Sequence, residues 1–179
     1  MNHRFGTFAL TLCLGLLVAA GSAQAELKVG DDAPAFEMKG SDGKTYKSSD
    51  FNGKQAVVIA WFPKAFTGGC TKQCKAMREQ GDKLRAYDVA YFTASVDDQP
   101  TNAKFAKSLG LDYPILCDPE KSAAKAFGVV NAQRGVAQRW TFIIGKDNKI
   151  LAIDKSVNTT NHGNDVAAKL DELGVEKKK

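Results

Sequence analysis

The stretch Trp61-Phe62-Pro63-Lys64-Ala65-Phe66-Thr67-Gly68-Gly69-Cys70-Thr71-Lys72-Gln73-Cys74 constrains this chain more than any other part of it. Before it runs Ala56-Val57-Val58-Ile59-Ala60, a continuous apolar segment of strand length. Such a run suits a strand covered on both faces, as in a parallel sheet. Pro63 ends the strand because it has no N–H to give to a ladder. Gly68 and Gly69 make a tight loop with exposed backbone, and an amphipathic helix is expected to start between Thr67 and Cys70, with Thr67 as its N-cap. Cys70 then falls in the first turn, where free N–H groups and the helix dipole favour a thiolate. A thiolate at a strand-to-helix corner is a nucleophile placed for an electrophile.

The 179 residues suffice for one domain with a sizeable core, but the first 25 read as a leader. Asn2-His3-Arg4 is a basic start, residues 8–20 are almost wholly apolar, and Ala23-Gln24-Ala25 is a small-x-small cleavage site. That pattern predicts a secretory signal removed after Ala25 and an exported, periplasmic product with no stable membrane association. A membrane anchor fits less well, since the apolar core is shorter than the ~20 residues a spanning helix needs. The remainder, residues 26–179, keeps Cys70, Cys74 and Cys117, an odd set too small for a disulfide scaffold. Whole-chain charge is modestly basic, 25 Lys and Arg against 20 Asp and Glu, and part of the excess is the terminal Lys177-Lys178-Lys179. No basic–aromatic pattern points to nucleic acid.

Taken in order, residues 33–38 alternate like an edge strand, Asp42-Gly43 is a hairpin turn, and residues 44–47 supply the return. Residues 48–54 form a short helical turn. The Cys70 helix is predicted to reach about residue 87, followed by a buried strand at 89–96 and a helix at 100–109 stopped by Gly110. A short strand at 113–117 precedes a helix with Pro119 in its first position and Gly128 as its stop. Residues 139–144 and 149–153 flank a hairpin at 145–148, and a last helix covers 165–173. This alternation predicts a single α/β domain: a mixed central sheet with helices on both faces and an N-terminal hairpin, in the order of a thioredoxin-like sandwich.

The motif Pro63-(x)3-Thr67-(x)2-Cys70, with Arg139 far downstream at the start of a strand, resembles the active site of the peroxiredoxins. Ala33-Pro34-x-Phe36, Asp42-Gly43-Lys44, Asp118-Pro119 and Phe127-Gly128-Val129 fall where that family has similar residues. Phe62-Pro63-Lys64-Ala65, Cys70-Thr71, Arg139-x-Thr141-Phe142 and Thr160-Asn161-His162 are most similar to the bacterioferritin comigratory protein (PrxQ) branch. The resemblance implies a peroxidase that needs neither metal nor haem and that takes electrons from an outside dithiol donor such as a thioredoxin-like protein. Cys70 would attack hydrogen peroxide or an organic hydroperoxide and become a sulfenic acid. Arg139 would favour the ionised sulfur and hold the peroxide. Thr67 would accept a hydrogen bond from the peroxide and donate one to sulfur, and Pro63 would keep water away. The N–H groups of Gly69 and Cys70 would stabilise developing charge.

The chain departs from that pattern twice. Gly68 stands where members usually have Pro, which makes the loop costlier to order. Cys74, the expected resolving thiol, lies four residues after Cys70 rather than five. Cβ atoms at i and i+4 of a helix are ~5–6 Å apart, whereas a disulfide wants ~3.5–4.5 Å, so a Cys70–Cys74 bond requires local unwinding. Cys117 reads as a small core residue, and His162, in a polar loop, as a surface or capping residue. A rival class uses the same residues differently. Cys-x3-Cys with one distant His is also similar to the Sco copper-delivery proteins, in which Cys70, Cys74 and His162 would be copper ligands. Under that reading Pro63, Thr67 and Arg139 would have no task. A general thiol–disulfide oxidoreductase would use Cys-x2-Cys, which is absent.

Overall fold

In the computed structural model, which describes residues 26–178, the apolar run becomes an inner strand of a seven-stranded sheet. The strands are β1 (Glu37–Gly40), β2 (Thr45–Lys47), β3 (Ala56–Trp61), β4 (Val89–Ser95), β5 (Ile115–Cys117), β6 (Thr141–Ile144) and β7 (Ile150–Asp154). The helices are α1 (Gly68–Glu79), α2 (Gly81–Arg85), α3 (Gln99–Leu109), α4 (Ser122–Ala126) and α5 (His162–Glu172). Across the sheet the order is β2-β1-β5-β4-β3-β6-β7. Strands β3, β4 and β5 are parallel neighbours, and the remaining pairs are antiparallel. This is the expected mixed thioredoxin-like sandwich with its N-terminal hairpin. The predicted leader at 1–25 lies outside the described residues, among which no helix is long and apolar enough to cross a membrane.

Period-two alternation along β3 divides the interior between two faces. Val57, Ile59 and Trp61 enter one core with Phe92, Leu116, Phe127, Phe142 and the α4 residues Ala123 and Ala124. Ala56, Val58 and Ala60 enter the other, against Met77 of α1, Leu84 of α2 and Val166, Ala167 and Leu170 of α5. A third cluster, Phe62, Ala65, Cys70, Cys74, Phe105, Leu109 and Ile115, fills the space where α1 and α3 meet the sheet. The reactive corner is therefore floored by packed apolar side chains.

Several boundaries differ from the sequence expectation, each for a tertiary reason. The helix expected to run to residue 87 breaks after Glu79, and a poor helix former, Gly81, opens α2. At the joint, the Gln80 amide serves α5: Nε2 donates to Thr160 O (3.2 Å) and Oε1 accepts from Asn164 N (2.9 Å). A Cβ at Gly163 would lie 2.7 Å from Gln80 Cβ and 2.9 Å from Ala76 O, so these helices meet only over glycine. Helix α4 starts at Ser122, not Pro119, because the buried Asp118 carboxylate accepts from Ser122 N (3.1 Å) and Ala124 N (2.7 Å). Strand β1 begins at Glu37 and is paired on both sides, leaving the short β2 as the edge. Residues ahead of it bond outside the sheet ladder: Ala33 N donates to Asn148 O (2.8 Å) and Phe36 N to Ser48 Oγ (3.3 Å). Helix α5 starts three residues early, at His162.

Candidate active site

Strand β3 carries the chain to the site. Phe62 N still donates to Ala94 O at 2.8 Å, after which Pro63, half-buried, ends the ladder. The connection to α1 turns through Phe66, whose φ of 61° is left-handed. For a bulky residue that conformation costs of order 1–3 kcal/mol and must be held by its surroundings. Ala65 N donates to Asp97 Oδ2 at 2.8 Å, and the Phe66 ring lies 5.0 Å from that of Phe105.

Thr67 takes the N-cap position (φ −100°, ψ 152°), as expected, but its side chain makes no capping bond. Its hydroxyl donates to Lys64 O at 2.9 Å instead. The expected donation from Thr67 to sulfur is thus not made: the hydroxyl hydrogen is committed to a carbonyl, and only lone pairs are free to accept. The first-turn N–H groups, which include those of Gly69 and Cys70, also lack the side-chain acceptor an N-cap normally supplies.

Cys70 is almost fully buried in that first turn. Arg139 reaches it because β6 pairs antiparallel with β3, Ala60 opposite Thr141, and Trp61 N donates to Trp140 O at 2.8 Å. That register sets residue 139 beside the end of β3. Arg139 Nη2 donates to Cys70 Sγ at 3.5 Å, and Nη1 donates to Gln73 Oε1. Gln73 is wholly buried, and its Nε2 donates to Trp61 O at 3.3 Å. The guanidinium is therefore held on both sides, against sulfur and against an amide that is itself anchored to β3. A Cβ on Gly69 would sit 3.2 Å from Arg139 Nη2, so the cation packs over bare backbone. At Gly68, by contrast, a Cβ meets nothing within 4 Å and φ is not left-handed.

Cys74 points inward one turn along α1. It is fully buried, its Sγ faces Thr93 Oγ1 at 4.0 Å, and its carbonyl accepts from the Tyr113 hydroxyl at 2.9 Å. Burial pushes the Cys74 thiol up to about 12, with the neighbouring Cys70 adding to the rise. Cys70, Cys74 and Cys117 are all unpaired. Cys117 is the core residue the sequence predicts: buried, accepting from Asn102 Nδ2 at 3.4 Å, its thiol pushed up to about 11 by desolvation.

His162 corrects the expectation of a surface residue. It is fully buried at the head of α5, with Nε2 on Thr141 Oγ1 at 2.9 Å and Nδ1 without a partner among the described residues. Its hydrogen bond goes to β6 while the Cys74 sulfur faces Thr93, so the copper-ligand set Cys70, Cys74 and His162 is not gathered. Among the described residues, no group of three or more His, Cys, Asp or Glu side chains is placed to hold a metal ion.

The structure brings Cys70, Gly69, Thr67 and Arg139 to one corner, as the sequence predicts. It adds Gln73 and Asp97, which the sequence reading missed. Gln73 was detectable in principle: it sits in the inward stripe Cys70, Gln73, Cys74, Met77, and a buried amide there must find partners. Asp97 carried no such signal, since its partner is a backbone N–H thirty-two positions away.

A thioredoxin-like sandwich whose first long helix opens on a buried cysteine, with an arginine from just ahead of a remote strand donating to the sulfur, is the architecture of a peroxiredoxin. The chain belongs to the AhpC/TSA family, whose model matches residues 29–153. Over 142 residues it is 32% identical to peroxiredoxin Bcp of Escherichia coli (strain K12) and 30% identical to peroxiredoxin Bcp of Bacillus subtilis (strain 168). In each case 76% of this chain and 90% of the relative are covered. The crystal structure of peroxidoxin BcpB from Mycobacterium tuberculosis superposes with a TM-score of 0.76 at 28% identity, covering 82% of this chain and 98% of that one. The protein is a thiol-dependent peroxidase of the Bcp-like (PrxQ) kind.

Proposed function

We propose that Cys70 is the peroxide-reducing thiol and Cys74 the resolving one. The observation that carries this reading is the Arg139 guanidinium donating to Cys70 Sγ at 3.5 Å from a residue 69 positions away. The Cys70 thiolate attacks the terminal oxygen of hydrogen peroxide or an organic hydroperoxide. An S–O bond forms, the O–O bond breaks, and the departing oxygen takes a proton to leave as water or alcohol. Arg139 and the first-turn N–H groups of Gly69 and Cys70 stabilise negative charge on the oxygens as that bond breaks. Thr67 orients the peroxide by accepting its O–H, and Pro63 covers the sulfur. Local unwinding of α1 then frees Cys74, whose thiolate displaces hydroxide from the sulfenic sulfur to form the disulfide. An external dithiol, a thioredoxin-like protein, returns both thiols to the reduced state. The leader-like residues 1–25 support an exported, periplasmic site of action.

Stopped-flow oxidation by hydrogen peroxide tests the assignment. Cys70→Ser abolishes the reaction, and Arg139→Ala and Thr67→Val each slow it about 10²-fold, the scale of losing one charge-stabilising donor or a positioning contact. Rates near wild type in the last two variants would refute the roles given to Arg139 and Thr67. Peptide mapping after one equivalent of peroxide identifies the resolver, and a Cys70–Cys117 bridge or a persistent sulfenic acid would remove Cys74 from that role.

A further inference from the structure

The connection between β3 and α1 bears the residue that meets the peroxide; Ala65 and the Phe66 ring pack beside Phe105, but few hydrogen bonds fix its backbone. Residues 63–67 contain one left-handed non-glycine, Phe66, and one internal bond, Thr67 Oγ1 to Lys64 O. Among the described hydrogen bonds, Ala65 N to Asp97 Oδ2 (2.8 Å) is the one that ties this segment to a distant part of the chain. The Asp97 carboxylate is itself fixed. Its Oδ2 also accepts from Ser95 Oγ (2.9 Å), and its own N–H donates back to that hydroxyl (3.2 Å). Asn102 of α3, fully buried, donates Nδ2 to Ser95 Oγ (3.0 Å) and to Asp97 O (3.3 Å). A rigid polar knot at the end of β4 thus presents one carboxylate oxygen to one N–H of the loop.

We infer that Asp97 is a positioning residue for peroxide reduction, setting the loop on which Thr67 accepts the substrate hydroxyl. A hydrogen bond to a carboxylate is among the stronger ones, and it acts one residue before the left-handed turn and two before Thr67. Without it the loop loses its hydrogen bond to the rest of the chain, and the packing of Ala65 and of the Phe66 ring against Phe105 is left to hold the left-handed turn against its strain. Thr67 then leaves its place relative to Cys70, and a shift on the order of 1 Å in a positioning group can slow a reaction about 10²-fold. Arg139, held separately by Gln73 and β6, stays on the sulfur. The inference rests on the proposed roles of Cys70 and Thr67.

This separation of loop from cation supplies the test. Two reactions of Cys70 are measured on the full chain: reduction of hydrogen peroxide, which needs Thr67 in place, and alkylation by iodoacetamide, which needs only a reactive thiolate. Asp97→Ala lowers the peroxide rate constant by about ten- to a hundredfold and leaves alkylation at or above the wild-type rate. Asp97→Asn, which keeps an oxygen to accept from Ala65 N, recovers most of the peroxide rate. A peroxide rate within about twofold of wild type in Asp97→Ala, alkylation slowed in parallel, or Asp97→Asn as slow as Asp97→Ala would each overturn the inference; on the scale of a lost positioning contact these outcomes are well separated. If Asp97→Ala fails to fold, Ser95→Ala, which loosens the carboxylate without removing it, gives a peroxide loss without an alkylation loss, and equal rates in both assays count against the inference. Cys70→Ser and Thr67→Val run in the same series keep the two levels apart. Wild-type rates in those variants defeat the site assignment, whereas their loss beside an unaffected Asp97→Ala defeats only the role of Asp97.

Discussion

Replacing Tyr113 by Phe tests how α1 gates disulfide formation. The Tyr113 ring is buried against Tyr91, with centroids 5.3 Å apart, and its hydroxyl donates to the Cys74 carbonyl at 2.9 Å. That carbonyl lies inside α1, where helix geometry gives it a second partner four residues on. Removing the hydroxyl therefore leaves no orphaned acceptor, and the loss is the net worth of one neutral hydrogen bond, about 1 kcal/mol. Under the proposed roles, Cys74 reaches the Cys70 sulfenic acid only from a state in which α1 has opened and this bond is broken. The bond contributes to the closed state alone, so its removal raises the open population by about fivefold. Oxidation of Cys70 itself proceeds from the closed state and keeps its rate. In rapid-quench alkylation after one equivalent of peroxide, Tyr113→Phe should form the Cys70–Cys74 disulfide about fivefold faster. Under excess peroxide it should also accumulate less sulfinic acid, because resolution outruns the second oxidation. A disulfide rate equal to or below wild type, with Cys70 oxidation unchanged, would refute the gating argument.

Two further perturbations probe the same helix ends. Gly68 is exposed at the first helical position, a Cβ there meets nothing within 4 Å, and Thr67 ahead of it is already extended. Gly68→Pro should therefore stabilise the protein by roughly 0.4–1 kcal/mol and raise Tm by about 1–4 °C; a lower Tm in a calorimetric scan would contradict the reading of this loop. Burial pulls His162 down to about 4, with Arg139 adding to the fall and Asp154 opposing it. The unfolded chain binds a proton near pH 6.5 that the folded protein refuses until about pH 4, so the stability from the neutral ring is complete above ~6.5 and is lost as pH falls between those values. The loss is on the order of 3 kcal/mol, read from urea midpoints between pH 7.5 and 4.5, and His162→Gln should flatten it; parallel pH slopes for the two proteins would refute it.

Local chemistry made the corner legible in the chain itself. An apolar run, a proline, an N-cap threonine and a glycine pair specify strand, stop and helix start within a few residues, and each acts through its own backbone preferences. The strands at 56–61 and 141–144 were visible for the same reason, since continuous burial leaves a largely apolar sequence, and that at 89–95 is buried at all but two positions. What local preferences could not supply was whatever depends on a partner far along the chain. The break at Gln80 follows from bonds to residues 160 and 164. The interior place of β1 follows from β5, and the burial of His162 from Thr141.

The same division runs through the site. That Cys70 opens a helix is a property of a dozen neighbouring residues, and the sequence determined it alone. That a guanidinium lies 3.5 Å from its sulfur depends on β6 pairing with β3 in one register, and on Gln73 being buried where it can hold the other nitrogen. Only the tertiary structure decided this, because pairing register is set by which side chains fill the shared core, and a slip of one residue would turn every side chain of the strand to the opposite face.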